Sequence, residues 1–298
     1  MLTGMGSSQF ALYPLSLQLI AHGWDACVVE TAELLHYQPA LLREGTLLIA
    51  ASQSGRSAEI VRLMEFVGRE VTVVGVTNDR TSPLAVRSDV RLDLNAGPES
   101  TVSCKTYLNS LVTLDWLGAV MTEGDLKRKR AELQLAGDTV AEYLSSWRQH
   151  VDEMSTLIEG VERIFVTGRG PSLASAQTGG LILKESTRFA AEGMSCPAFR
   201  HGPLEAVAPN VLVMICEGDP KTSALNRALA HDVESGGGRV AILGPSSIQP
   251  ACRWADAPSP ISTVMEMLPI QMLSLALAAS TGREAGRFEK ASKITSAE

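Results

Sequence analysis

Cysteine is scarce and scattered, with five residues (Cys27, Cys104, Cys196, Cys216, Cys252) in 298, no C-x-x-C pair and an odd total. This speaks against a disulfide framework or a cysteine zinc site and fits a reducing cytoplasm. No His, Cys, Asp and Glu cluster has metal-ligand spacing, and nothing calls for an organic cofactor. Long apolar runs are missing as well: the longest, Ile270 to Ala279, is about half of what a bilayer requires. No basic segment precedes an apolar one at the start, so neither a secretion signal nor a membrane partner is expected. Positive charge is in deficit, 26 Lys and Arg against 33 Asp and Glu, for a net charge of −7. Nucleic acid and anionic membrane are therefore disfavoured as partners, and an anionic ligand would have to be held by local donors. The G-x-x-x-x-G-K-[ST] nucleotide loop is absent too.

What is present is a globular composition, 45% hydrophobic and 20% charged, with enough chain for one sizeable domain or two smaller ones. Apolar strand-like runs at 25–30, 46–51, 71–77, 90–94, 163–167, 211–216 and 239–243 alternate with helical patterns. Unbroken Val, Ile and Leu runs separated by helices predict an α/β fold whose parallel sheets are covered on both faces. Gly4-x-Gly6-x-Ser8 recurs as Gly168-x-Gly170-x-Ser172, and the run from Leu47 to Ala51 recurs from Val211 to Ile215, both at an offset of 164 residues. Two coincident offsets imply a duplicated domain. The chain is accordingly divided into a first domain at 1–124, a connecting helix at 125–150, a second domain at 151–282 and a tail at 283–298 over the site. The first strand has only Met1-Leu2-Thr3 before its glycine turn, too short for a buried central strand, which implies a shortened N-terminus.

The most informative stretch is Leu47-Leu48-Ile49-Ala50-Ala51-Ser52-Gln53-Ser54-Gly55-Arg56-Ser57, a strand-length apolar run that stops at three hydroxyls and a glycine before a helical pattern begins. Such a turn directs free backbone N–H groups and the positive end of a helix dipole at one small volume. With Ser52, Ser54, Ser57 and the Gln53 amide, it suits a phosphate monoester; a plain serine-capped turn is the alternative. In the second copy Ser52-Gln53-Ser54-Gly55 becomes Cys216-Glu217-Gly218-Asp219. Two carboxylates would repel a phosphate, so only the first copy is expected to bind one, in a composite site. Gly4-Met5-Gly6-Ser7-Ser8-Gln9 also invites a dinucleotide reading, but Gln9 replaces the third glycine, which disfavours a nicotinamide cofactor.

Gly6-Ser7-Ser8, Ser52-Gln53-Ser54-Gly55-x-Ser57, Gly97-Pro98-Glu99 with Ser103-x-Lys105-Thr106, Gly168-Arg169-Gly170, Lys184-Glu185, Arg200-His201-Gly202-Pro203-Leu204 and Lys293-Ile294-Thr295 occur in that order. Together they resemble the tandem sugar-isomerase (SIS) domain family, in particular the isomerase region of glucosamine-6-phosphate synthase and the related glucosamine-6-phosphate deaminases. The resemblance implies two tandem doubly wound, flavodoxin-like domains and a sugar phosphate ligand. It implies that Gly6, Ser7, Ser8, Ser52, Gln53, Ser54 and Ser57 hold the phosphate, and that Glu99 and Ser103 line the sugar pocket, unless these two merely build a polar turn. By the same resemblance Glu185 is the base that moves a proton between C1 and C2, a task suited to a shielded carboxylate with a raised pKa. His201 opens the sugar ring from a neighbouring subunit, which makes the protein a homodimer. Lys293 is a lid residue that stabilises oxyanion charge. His22, His36, His150 and His231 are left as structural or surface residues.

The departures narrow the reading. The synthase pattern has a glutamate and a lysine upstream of Glu185 on the same helix, where this chain has Thr178 and Ile182. Arg56 replaces the usual acid of the phosphate loop and either strengthens anion binding or stays solvated. A cysteine nucleophile does not follow Met1, so glutamine-dependent synthesis is disfavoured. The expected activity is a cytoplasmic isomerising deaminase of a hexosamine 6-phosphate. The alternatives are an aldose–ketose phosphosugar isomerase, a deglycase of another ketosamine phosphate, or a non-catalytic phosphosugar-binding regulator.

Overall fold

The strand-like runs assemble into two parallel sheets in a computed structural model that describes residues 1–255, 261–290 and 292–295. The chain forms two compact units, Met1–Leu126 with the tail from Phe288, and Lys127–Arg287. Residues 291 and 296–298 of the expected tail lie outside the described residues, as do 256–260.

The first unit runs β1 (Leu2–Gly4), α1 (Ser7–Ala21), β2 (Val28–Glu30), α2 (Thr31–Tyr37), β3 (Leu47–Ala51), α3 (Ala58–Phe66), β4 (Thr72–Thr77), α4 (Pro83–Arg87), β5 (Val90–Asp93) and α5 (Lys105–Met121). Its five strands lie in the order β2-β1-β3-β4-β5, all parallel. Leu48, Ala50 and Val73 from the sheet pack with Ile60 and Leu63 of α3 and Leu84 of α4 in a buried core. That packing is why these short runs rich in β-branched and leucine side chains settle as a buried sheet under amphipathic helices.

The reading of the first strand as too short to be central is corrected. β1 sits between β2 and β3, with Leu2 paired to Val28 on one side and Ile49 on the other, and Leu2 is buried. Three residues suffice because both edges of the strand are hydrogen-bonded and the Met1 amine adds a bond to Leu47 O at 2.9 Å.

The second unit contains most of α6 (Leu126–Ser145), then α7 (Trp147–Leu157), β6 (Arg163–Gly168), α8 (Ser172–Thr187), β7 (Ala191–Ser195), α9 (Cys196–Arg200), β8 (Val211–Cys216), α10 (Pro220–Ser235), β9 (Arg239–Leu243) and α11 (Ile261–Ser280). Its four parallel strands lie in the order β7-β6-β8-β9, the same winding as the first sheet. The segment 125–150, read as one helix, breaks at Ser146 into α6 and α7.

Strand β7 is absent from the sequence reading because Ala191-Glu192-Gly193-Met194-Ser195 has no apolar run. Its place is made by glycine: a Cβ on Gly193 would lie 2.1 Å from Ala176 O, and one on Gly180 2.3 Å from Gly193 N, so α8 and β7 meet backbone to backbone. α11, long and apolar enough by composition to cross a membrane, is 83% buried over its most apolar stretch and packs on α7 and α8. It is the core helix of this unit.

Candidate functional site

In the order β2-β1-β3-β4-β5, successive connections leave the sheet in opposite directions from β1 and β3. The crevice at the carboxyl ends of these two strands is where open α/β sheets bind ligands. The Gly4–Ser8 and Ser52–Ser57 loops both start there. Gly4 lets the strands and α1 converge, since a Cβ would sit 2.9 Å from both Ala51 O and Gln9 N. Gly6 caps α1 with φ 51°, and Ser7 and Ser8 open that helix.

The Ser52–Ser57 loop is held by its own hydroxyls. Ser52 Oγ accepts the Gly55 N–H at 3.0 Å, and Ser54 Oγ accepts the Arg56 N–H at 3.2 Å. A hydroxyl that accepts from the backbone keeps its own proton to give to a ligand. Gly55 has φ +61°, and a Cβ there would stand 2.2 Å from Ser82 Oγ, so only glycine turns the loop. Ser57 caps α3 without using its side chain; Ser57 Oγ is buried and has no hydrogen-bond partner among the described residues.

Arg56 is exposed and paired within its own surface: Nε donates to Asp79 Oδ2 at 2.8 Å and Nη2 to Thr81 Oγ1 at 2.9 Å. Hydrogen bonds from Thr81 and from Arg56 hold the Asp79 carboxyl down at about 2.

A second loop follows β5 and enters α5. Here Glu99 accepts the backbone N–H groups of Cys104 at 2.9 Å, Lys105 at 2.7 Å and Thr106 at 3.2 Å on one oxygen. Its other oxygen takes the Thr106 hydroxyl and faces Lys293 Nζ at 3.4 Å. Glu99 is thus the anchor that fixes the start of α5, with its carboxylate at the positive end of that helix. Ser103 lies on the loop that Glu99 closes, and Lys105 Nζ bonds Pro98 O at 2.6 Å. Lys293 Nζ also donates to Thr101 O, and the tail's Thr295 O accepts the Ala58 N–H at the start of α3 at 3.0 Å. The first unit thereby brings together Ser52, Ser54, Ser57, Glu99, Ser103 and Lys293 on the loops at the carboxyl edge of its own sheet. A cavity of about 680 Å³ at the opposite edge, lined by Met1, Trp24, Arg43 and Leu47, involves none of them.

In the second unit, Glu185 stands near the end of α8 and is half-buried, the one acid on that helix. His201 ends α9, exposed, with no hydrogen bond to its ring among the described residues. Thr178 and Ile182 are fully buried, and Thr178 Oγ1 has no partner among the described residues. The two carboxylates expected to repel a phosphate are both engaged locally. Glu217 accepts the Ser246 N–H at 2.9 Å and faces Arg227 at 3.5 Å, and Asp219 caps α10 through the Lys221 N–H.

Two acids escaped the sequence reading. Glu59, on the first turn of α3, is buried with one oxygen unpartnered among the described residues; its sequence signal is that of any acid complementing a helix start. Glu266 of α11 is fully buried and accepts Ser172 Oγ at 2.7 Å, and burial pushes its carboxyl up to about 7. No periodic pattern marks an acid inside an apolar helix as a ligand of a serine 94 residues away.

The SIS domain family model matches residues 1–119 and again 157–281. The chain is 27% identical over 310 residues to the glutamine–fructose-6-phosphate aminotransferase (isomerizing) of Pyrococcus horikoshii, covering 100% of this chain and 51% of that protein. It spans about half, or less, of the length of the curated relatives it matches. A glucosamine-6-phosphate deaminase structure from Thermotoga maritima superposes with a TM-score of 0.82 at 19% identity, covering 99% of this chain and 90% of that one. The tagatose-6-phosphate ketose/aldose isomerase of Escherichia coli gives 0.80 at 20% identity, covering 97% and 85%. Both structures share the fold.

Proposed function

The chain belongs to the SIS domain family, and from that premise we propose that it is a phosphosugar isomerase, specifically an isomerising deaminase of a hexosamine 6-phosphate. The observation that carries the reading is the Ser52–Ser57 loop at the β1/β3 crevice. Two of its hydroxyls accept from the backbone and donate to no group among the described residues, and a third, on Ser57, is buried without a partner among them. A buried hydroxyl left unmatched is costly, and a phosphate oxygen is an acceptor that would satisfy it. Ser8, Ser52, Ser54 and Ser57 hold the phosphate with the backbone of Gly6, Ser7 and Gln53, and Ser103 faces the sugar on the loop that Glu99 fixes.

In this reading His201, supplied by a second subunit, moves the proton that opens the ring. Glu185 removes the proton from C2 of the amino aldose and returns it to C1, leaving a ketose imine. Water adds to that imine and ammonia leaves, so amino aldose phosphate plus water gives ketose phosphate plus ammonia. Lys293 offsets the oxyanion charge: of its three ammonium protons, one goes to Thr101 O and one points at Glu99, and a third remains to donate. Ammonia release from glucosamine 6-phosphate is the test. Glu185→Gln should keep ligand affinity and lower kcat by at least ~100-fold; a fully active variant removes Glu185 as the base.

One observation favours a second reading. Thr178 and Ile182 are buried and uncharged where the resembling synthases carry a glutamate and a lysine, so proton transfer has fewer charged groups to draw on. An aldose–ketose phosphosugar isomerase, or a deglycase of another ketosamine phosphate, needs only the Glu185 step or accepts a different amine. Ketose formed from an aldose 6-phosphate without ammonia would establish the isomerase. Tight binding across hexose and hexosamine 6-phosphates without turnover would establish a regulator.

A further inference from the structure

The loop after β4 lies, by the strand order, between the loops after β3 and β5, and its hydrogen bonds run to both. The Asn78 N–H donates to Gln53 O at 3.0 Å, and Thr77 Oγ1 donates to the same carbonyl at 3.2 Å. The Asn78 side chain turns the other way. Nδ2 donates to Gly97 O at 2.9 Å, and Oδ1 accepts the Ala96 N–H at 2.9 Å. Its main chain therefore serves one loop and its carboxamide the other. The carboxamide closes a two-bond bracket on the segment 96–97, just before Glu99 takes over at Cys104.

We propose that Asn78 is a positioning residue that sets the sugar-side loop (95–104) against the phosphate-side loop (52–57), so that the enzyme reads the sugar and its phosphate at a fixed spacing. The proposal rests on the reading of the Ser52–Ser57 loop as the phosphate cradle. The backbone of Gly97, with φ +68°, and of Asn95, with φ +52°, bends the chain twice within three residues. A segment so bent has no ladder of its own to hold it, and the Asn78 bracket supplies the missing partners. Neighbouring side chains do not substitute. Asp79 is committed to Arg56 and Thr81, and Arg80 pairs with Asp93 and reaches this loop only at the Asn95 side chain, at 3.4 Å, not at Ala96 or Gly97. Removing the carboxamide frees the sugar-side loop and leaves the Gln53 bond, which is main-chain, in place.

Two measurements on Asn78→Ala decide it. In the ligand-free protein, amide hydrogen exchange should quicken across 95–104 and stay unchanged across 52–57. By calorimetry, affinity for inorganic phosphate should hold within about 2-fold while affinity for glucosamine 6-phosphate falls about 10-fold or more, the scale of one or two lost hydrogen bonds. Asn78→Ser keeps an uncharged polar group too short to span both bonds of the bracket, so it should show the same pattern at smaller amplitude even where the alanine variant folds poorly. Equal quickening of both loops, or equal loss of phosphate and sugar phosphate affinity, would overturn the proposal. A wild-type protein that binds phosphate but not glucosamine 6-phosphate would count against the substrate named above, and the exchange pattern would still decide the role of Asn78.

Discussion

Ser57 sits where stability and ligand binding pull in opposite directions. Its hydroxyl is buried at the start of α3 and unmatched among the described residues, so the ligand-free fold carries the desolvation cost of that group. Ser57→Ala should therefore stabilise the ligand-free protein, by about 1 kcal/mol, and weaken sugar phosphate binding by about 10-fold. Thermal unfolding with and without glucosamine 6-phosphate checks both signs at once. A variant that is less stable and binds as before would show Ser57 to be a plain helix cap. The residue scale is also where the sequence was least complete. The Ser52–Ser57 turn could be read from an apolar run stopping at hydroxyls. That Ser52 and Ser54 accept from Gly55 and Arg56, and that Arg56 turns to Asp79, depends on side-chain directions no spacing encodes. Glu99 likewise could be read as a pocket or a turn residue; only the three N–H groups converging on one oxygen show what it does.

Among the elements, α11 and α8 carry the chemistry that sequence patterning could not order. α11 is apolar throughout most of its length, and the fold places its one acid, Glu266, fully inside, on Ser172. Burial favours the neutral acid, so the folded protein binds this proton more tightly than the unfolded chain between the ordinary value of 4.5 and about 7. Stability from this group is present in full below pH 4.5 and falls as pH rises through about 7, by roughly 3 kcal/mol at most. Glu266→Gln keeps an acceptor for Ser172 and has no proton to lose. Urea unfolding between pH 5 and 8 should then show the variant losing less stability than wild type over that window, and matching slopes would refute the buried-acid argument. On α8, Thr178 and Ile182 were legible as departures in sequence, but their complete burial was not. Elements with an apolar run, such as β3, β4 and β8, were readable because parallel strands buried on both faces must be continuously hydrophobic. β7 lacks that signature, being held by the close glycine contact of Gly180 and Gly193, and β1 was misjudged because its length and not its two-sided pairing was weighed.

For the whole molecule, the duplication read from two equal offsets matches two sheets wound in the same order, with a fifth strand in the first. Duplication supplies two crevices, and the copies have diverged: Ser52 and Ser54 accept from the backbone in the first and donate to no group among the described residues, while Glu217 and Asp219 of the second are tied to their own loop and helix. On the reading proposed above, each chain holds a single phosphate cradle, and this has a consequence for assembly. His201 is exposed at the end of α9 with its ring unbonded among the described residues, as a group serving another chain would be. If it serves a second subunit, two defective chains can repair one another. A Ser52→Ala, Ser54→Ala chain lacks the cradle but still lends its His201; a His201→Ala chain keeps the cradle and lacks the lent group. In a mixed dimer one site combines an intact cradle with an intact histidine. Random pairing of equal amounts should recover about a quarter of wild-type ammonia release, since half the dimers are mixed and half their sites are whole. Each variant alone should stay nearly inactive. If mixing after unfolding and refolding restores nothing, while size measurements confirm dimers, His201 acts within its own chain or not at all.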